Sequence, residues 1–388
     1  MVLVNQKYNP RWGEGIRDMP LTPEEKEQRK ANKATVEAER ELIRSTYGLD
    51  PFKRLDRDTA RTTIGEVTRE EVRSIIDTFY RLQDNRTRTG NQRSALERAG
   101  KRRSVIDWFY AYFEATEKNI EIVLDEYVKT QALGRWVTSI HGISKILAAG
   151  LLAQIDITKA PTVGAIWRFA GIDPSIIRLS RDDADTIVKE NCKGKSPTQE
   201  EVAKIANDLN RRFESVWRQG TEQPKKNAKP GDAVSKTVGT VTKKSLAAGL
   251  ARRPYNDDLK KLMWKIAEQV CSFHAKSEKS FYGPLYFQRL AYETKKNEAG
   301  DYADIAAAKL NKVGKATKSY AAYKEGKLGE AEINNRARRW TVKLFLAHYH
   351  HVAYNLEFGK NPPNPYAFAI LGHSKIIGPP NWPMSEDE

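Results

Sequence analysis

The chain has 388 residues, 39 % of them hydrophobic and 30 % charged, and Lys plus Arg outnumber Asp plus Glu by 66 to 50. The net charge of +16 opposes compaction through self-repulsion, so it indicates a polyanionic partner: nucleic acid, or alternatively an anionic membrane surface. No stretch approaches the ~18 uncharged apolar residues of a membrane span, and the first residues lack a signal peptide's apolar core, so we expect a cytoplasmic protein without membrane insertion.

The first 65 residues are rich in charge and poor in large apolar side chains, which predicts a peripheral arm. One helix is expected over 22–48, where Thr22 and Pro23 match the residue preferences of an N-cap and a first turn.

Residues 67–133 carry apolar side chains at helical spacing and predict two helices of a coiled-coil-like linker. Between them, residues 86–103 hold seven basic side chains and one acidic one. These basic residues are either a solvated helix face or an arm in which Arg86, Arg88 and Arg93 contact successive phosphates.

The stretch "IHGISKILAAGLLAQI", residues 140–155, places a glycine just before a run of small and aliphatic residues. Gly142 could form the tight turn of a helix-hairpin-helix, in which Ser144, Lys145 and the free amides of the second helix face a phosphate. The small residues 148–150 would allow the two helices to pack closely. The alternative is an ordinary buried helix.

Beyond residue 177, "SPTQEEVAKIANDLNRRFESVWRQG" predicts a helix that starts at Ser196 and Pro197, followed by a basic linker with little apolar periodicity. Strand signals are scarce, so the chain is predicted to be mostly α, with a helical arm and a coiled-coil linker followed by a helical domain containing a helix-hairpin-helix. The expected segments are an N-terminal arm (1–65), a linker (66–133), a helix-hairpin-helix-like unit (134–177), a helical insertion with a basic linker (178–244), a C-terminal helical domain (245–360) and a Pro-rich tail (361–388).

The segment "SIHGISKILAAGLLAQIDITKAPTVGAIWRFAGIDPS", residues 139–175, resembles the C-terminal domain of insertion-sequence transposases that are guided by a bridging RNA. It matches the family's glycine turn, Ala-rich helix, Asp-Ile step and Ala-Gly-hydrophobic-x-Pro helix end, except that Ser144 replaces the second glycine of the turn. With "RLQDNRTRTGNQRSALERAG" upstream and "RRPYNDDLKKLMWKIAEQV" downstream, the resemblance covers about residues 80–370, interrupted by an insertion near 178–245.

Two departures from this family bear on catalysis. The resemblance implies an N-terminal RNase-H-like domain whose carboxylates hold divalent cations, but residues 1–80 carry no strand pattern around their aspartates, so we expect that domain to be missing. The family's nucleophilic serine aligns with Ala251, which leaves Ser245, beside Lys243 and Lys244, as the one candidate nucleophile.

Basic residues concentrate in the C-terminal half, where residues 221–265 contain eleven Lys or Arg against four Asp or Glu. A second group flanks Trp340 on the last long helix. Each is either a solvated face or part of a groove for nucleic acid. The candidate phosphate contacts of this half are Lys243, Lys244, Arg252, Arg253, Arg336, Arg338, Arg339 and Lys343.

Three histidines, His348, His350 and His351, raise the question of a metal site on this helix. Apolar neighbours surround them and no Cys or Asp lies near, so packed, hydrogen-bonded histidines are expected instead. The two cysteines, Cys192 and Cys271, match no metal or redox spacing, and we expect no metal and no cofactor.

The sequence thus predicts a transposase-like, DNA-binding protein that has lost strand cleavage. The alternatives are an active serine-type strand-transfer recombinase and a nucleic-acid-associated structural or packaging protein. DNA is the expected partner, with a guide or structural RNA as a further one, and the linker suggests a homodimer or higher homo-oligomer by analogy with the family.

Overall fold

A computed structural model of the chain describes residues 54–65, 67–101, 104–194, 196–223, 236–237, 240–363 and 377–384, and six isolated positions between 27 and 38. Most of the N-terminal arm, including most of the helix predicted over 22–48, lies outside the described residues. The same holds for 224–235 in the basic linker and 364–376 in the tail.

The described chain is mostly α-helical, as predicted. Its helices are α1 (Arg57–Ile64), α2 (Arg69–Arg98), α3 (Ser104–Lys129), α4 (Ala132–Ser139), α5 (Lys145–Gln154), α6 (Val163–Phe169), α7 (Arg181–Asn191), α8 (Gln199–Asp208), α9 (Phe213–Thr221), α10 (Lys243–Leu250), α11 (Asp257–Glu268), α12 (Tyr282–Glu298), α13 (Ala303–Leu310), α14 (Lys318–Lys324) and α15 (Glu330–Phe358). Strand pairing in the described part is limited to two residues on each side, β1 (Glu222–Gln223) antiparallel to β2 (Lys236–Thr237).

The chain divides into two compact units. The first comprises Met1–Leu55 and Phe79–Asn119, and the second comprises Asp56–Thr78 and Ile120–Glu388. Helices α2 and α3 therefore contribute residues to both units.

Within the first unit, α2 and α3 run antiparallel and are joined by buried ion pairs. Arg86 lies 2.7 Å from Glu117, and Arg93 lies 2.7 Å from Asp107. Both carboxylates are buried, so each needs a cation to offset its loss of hydration.

The core of the second unit is built around α5, whose residues from Ile146 to Ala153 are all buried. A helix that is apolar on every side is stable only when other elements surround it. Helices α4 and α11 pack against α5, and α15 packs against α4, α6, α11 and α12. This arrangement places α11 and α15 side by side, which matters for the candidate site.

Helices α7 to α10 enclose a separate apolar core that includes Val188, Ile205 and Leu246. The single helix predicted from Ser196 is two helices, α8 and α9, which are interrupted at Asn210, where φ is +50°. Helix α8 begins after Thr198, because Thr198 and Glu201 form a reciprocal capping box that satisfies the first amides of the helix.

Among the described helices, none combines the length and the apolar character needed to span a membrane.

Candidate nucleic-acid interface

The turn at 140–144 joins α4 to α5. Gly142 has φ of +92°, a conformation that favours glycine, and a Cβ at this position would lie 3.0 Å from the ring of His274. The exposed Ser144 caps α5, its Oγ accepting a hydrogen bond from the amide of Leu147 at 3.4 Å. Two helices joined by a short turn are thus present, and the helix-hairpin-helix with its use in phosphate binding stays a prediction.

Lys145 and Gly150 of α5 both contact other helices of the second unit. Lys145 Nζ lies 3.7 Å from a carboxylate oxygen of Glu121. A Cβ on Gly150 would lie 2.9 Å from Leu262, so the close approach that Gly150 permits is to α11. Gly150 therefore serves the packing of α5 against α11, and a role of the small residues in a phosphate-binding hairpin stays a prediction.

The three arginines of α2 that were predicted to contact phosphates are engaged in ion pairs. Arg86 and Arg93 are bonded to buried carboxylates of α3, and the exposed Arg88 pairs with Asp84 on its own helix at 2.8 Å. These ion pairs of Arg86 and Arg93 hold α2 and α3 together. Their contact with phosphates stays a prediction.

Ser245, the candidate nucleophile, is 1 % exposed and lies in the first turn of α10. Its Oγ accepts a hydrogen bond from the amide of Thr242 at 2.9 Å, and its amide donates to the Thr242 hydroxyl at 3.1 Å. This capping role explains the serine at this position, so no catalytic role is needed to account for it. The adjacent Lys244 is exposed, whereas the Nζ of Lys243 lies 3.5 Å from the carbonyl of Lys193.

A groove of about 1140 Å³ lies in the second unit. It is lined by α11 with the residues just before it, the first half of α15, Arg289 and Glu293 of α12, Ser319 of α14 and the segment that follows α6. Asn256 fixes the start of α11 in this wall: its Oδ1 accepts from the backbone amide of Leu259 at 2.8 Å, and its backbone amide donates to the carbonyl of Phe169 at 2.8 Å. The N-terminus of α11 is therefore fixed to the end of α6.

Positive charge dominates the groove, with nine Lys or Arg side chains against four Asp or Glu, a surplus of five. The basic residues are Arg178, Arg253, Lys260, Lys261, Arg289, Arg336, Arg338, Arg339 and Lys343. The exposed members of this set are Arg178, Arg253, Lys260, Lys261 and Arg339. A polyanion could therefore reach them without rearrangement of the backbone.

A buried carboxylate organises the α12 side of the groove. Glu293 is 1 % exposed and accepts hydrogen bonds from Arg289 Nε at 2.8 Å, from Arg336 Nε at 3.0 Å, and from the hydroxyl of Tyr302. Burial alone would raise the pKa of Glu293, but these three donors together hold the pKa below its usual value. One anionic side chain thus fixes two guanidinium groups in place.

Three aromatic rings line the groove, and each has a cation near its ring, within the range of cation–π attraction. The cations are Lys260 at 4.0 Å from the centroid of Tyr255, Arg289 at 5.5 Å from that of Trp340 and Arg338 at 5.6 Å from that of Trp264. Of these rings, Trp264 is the most open, at 51 % exposed.

The groove brings together five of the predicted residues: Arg253, Arg336, Arg338, Arg339 and Lys343. The other predicted contacts do not line it: Arg86, Arg88, Arg93, Gly142, Ser144, Lys145, Lys243, Lys244 and Arg252. Sequence reasoning missed the pair Lys260 and Lys261 together with Trp264, although their spacing of three and four residues already placed them on one helix face.

Two of the three histidines of α15, His348 and His350, are buried and hydrogen-bonded. His350 Nε2 donates to the carbonyl of Ala160 at 2.9 Å, and His348 Nε2 donates to the carbonyl of Ile377 at 2.8 Å. Among the described residues there is no group of three or more His, Cys, Asp or Glu side chains placed to hold a metal ion.

No family model, no curated protein and no solved structure matches this chain. The resemblance to RNA-guided transposases therefore rests on the sequence motifs alone.

Proposed function

We propose that this chain is a transposase-like nucleic-acid-binding protein that holds a DNA strand in the groove lined by α11 and α15. The observation that carries the proposal is the surplus of five positive charges in one open groove that also contains three aromatic rings. Lys and Arg side chains bind phosphates and release condensed counterions, and aromatic side chains contact the bases.

Binding rather than strand transfer is the activity that these residues favour. Ser245 is buried in a helix cap, and Ala251 occupies the position that aligns with the family's serine. The transposase relationship rests on the motif at 139–175, and self-association of the chain is a further part of the proposal, drawn from the linker by analogy.

The groove's role is tested by removing three exposed cations together, in the variant Lys260→Ala, Lys261→Ala, Arg339→Ala. Loss of three phosphate contacts should weaken duplex binding and reduce the salt dependence, the slope of log K against log salt becoming shallower by about 2 to 3. Fluorescence anisotropy with a labelled duplex, repeated across a salt series, measures both quantities.

A matched control removes the same charge elsewhere, in the variant Lys279→Ala, Lys312→Ala, Lys315→Ala, whose three side chains are exposed and do not line the groove. If both triple variants lose affinity equally, net charge rather than the groove determines binding. Salt-insensitive self-assembly of the wild type without nucleic acid would instead support a packaging protein.

A further inference from the structure

Trp264 is a large exposed hydrophobic side chain in a charged groove. Among the described residues, the other exposed large hydrophobic side chains lie outside this groove. An exposed indole on a surface that attracts polyanions gains nothing in stability from its position, and exposed aromatic surface commonly marks a contact site.

The indole is also held by its surroundings. The guanidinium of Arg338 lies 5.6 Å from the ring centroid, and Arg338 is itself buried and hydrogen-bonded to the hydroxyl of Ser272. A ring positioned in this way loses little conformational freedom when a second flat group stacks on it.

The cations nearest in sequence are placed to accompany such a stacked group. Lys260 and Lys261 precede Trp264 by four and three residues on α11, so each lies about one helical turn from Trp264, and all three side chains are exposed. Two cations therefore lie beside an exposed aromatic ring, and proteins that bind single strands combine basic and aromatic side chains in this way.

We propose, building on the nucleic-acid-binding function above, that the groove takes an unpaired segment of nucleic acid and that a base stacks on Trp264. A duplex keeps its base faces inside its own stack and presents phosphates and groove edges instead. Trp264 should therefore contribute to the binding of single strands and little to the binding of duplex.

The test compares the full-length wild type with Trp264→Ala and Trp264→Phe, using a labelled single strand of about 16 nucleotides, as DNA and as RNA, and the duplex of the same DNA sequence. We expect Trp264→Ala to raise the Kd for the single strand by about 5- to 150-fold, Trp264→Phe to raise it less, and the duplex Kd to change less than about twofold. Phe287→Ala removes an exposed aromatic outside the groove and should change none of these values.

Equal losses for single strand and duplex, or no loss for either, would overturn the stacking proposal. The charge variant Lys260→Ala, Lys261→Ala, Arg339→Ala separates this failure from that of the proposed function. If that variant loses affinity while Trp264→Ala does not, the groove binds nucleic acid without stacking. If neither variant loses affinity, the groove is not the binding site. Thermal unfolding of each variant verifies that the fold is intact.

Discussion

At the scale of single residues, Gly171 shows why the Ala-Gly-hydrophobic-x-Pro pattern ends α6. Its φ is +64°, and a Cβ built on it would lie 2.5 Å from the ring of Tyr255, which lines the groove. The glycine thus serves two needs, a left-handed backbone and the close approach of a ring.

Gly171→Ala should lower the free energy of unfolding by about 2 to 4 kcal/mol, because the strain of a left-handed alanine adds to the overlap with Tyr255. Gly359→Ala is the matched control: its φ is also +64°, but a Cβ there meets nothing within 4 Å. Gly359→Ala should lower the free energy of unfolding by about 1 to 2 kcal/mol. Urea unfolding measures the free energy of unfolding of both variants. If both lose the same amount, the overlap with Tyr255 does not contribute to the stability of the protein.

At the scale of elements, His348 joins three separate parts of the chain. A carbonyl can only accept, so the hydrogen bond to Ile377 places the proton on Nε2, and Nδ1 then accepts from the hydroxyl of Tyr282 at 2.8 Å. Helix α15 is thereby linked to α12 and to the segment 377–384. The indole of Trp136 on α4 donates to the carbonyl of Pro380 at 2.8 Å, which holds the same segment from a second helix.

Burial lowers the pKa of His348 from 6.5 to about 4. Between these values the unfolded chain binds more protons than the folded one, so the stabilisation is fully present above pH 6.5 and is lost as the pH falls towards 4. Relative to His348→Gln, which does not titrate and keeps an amide donor, the wild type should lose roughly 3 kcal/mol across this window. Parallel stability–pH curves for the two proteins would contradict this assignment.

Local signals in the sequence predicted the elements well and their packing poorly. Helical periodicity identified the long helices, including α15. Asparagine tolerates the left-handed conformation that ends α8, so Asn210 was a signal for the break, although a weaker one than Gly or Pro. Helix α10 was predicted to belong to the C-terminal domain, but it packs in one core with α7 and α9. Periodicity and caps describe single helices, so they could not predict this contact.

At the scale of the whole molecule, the groove combines segments that are far apart in the chain. The predicted basic residues on α15 were found because they cluster on one helix, and Arg253 because it lies in a basic stretch. Arg178 and Arg289 come from segments separated by more than a hundred positions, so only the packing of α6, α11, α12 and α15 brings them to one surface.

The central claim is that this basic protein binds nucleic acid by neutralising its phosphates, and the salt dependence of binding by the wild-type chain tests it most directly. The groove has a surplus of five positive charges, so we expect it to neutralise about five phosphates. The slope of log K against log salt should then be at least as steep as about −3.5 on single strands. Measured binding that weakens with this slope is the predicted result. Absence of binding at about 50 mM salt, or a slope near zero, would contradict the claim.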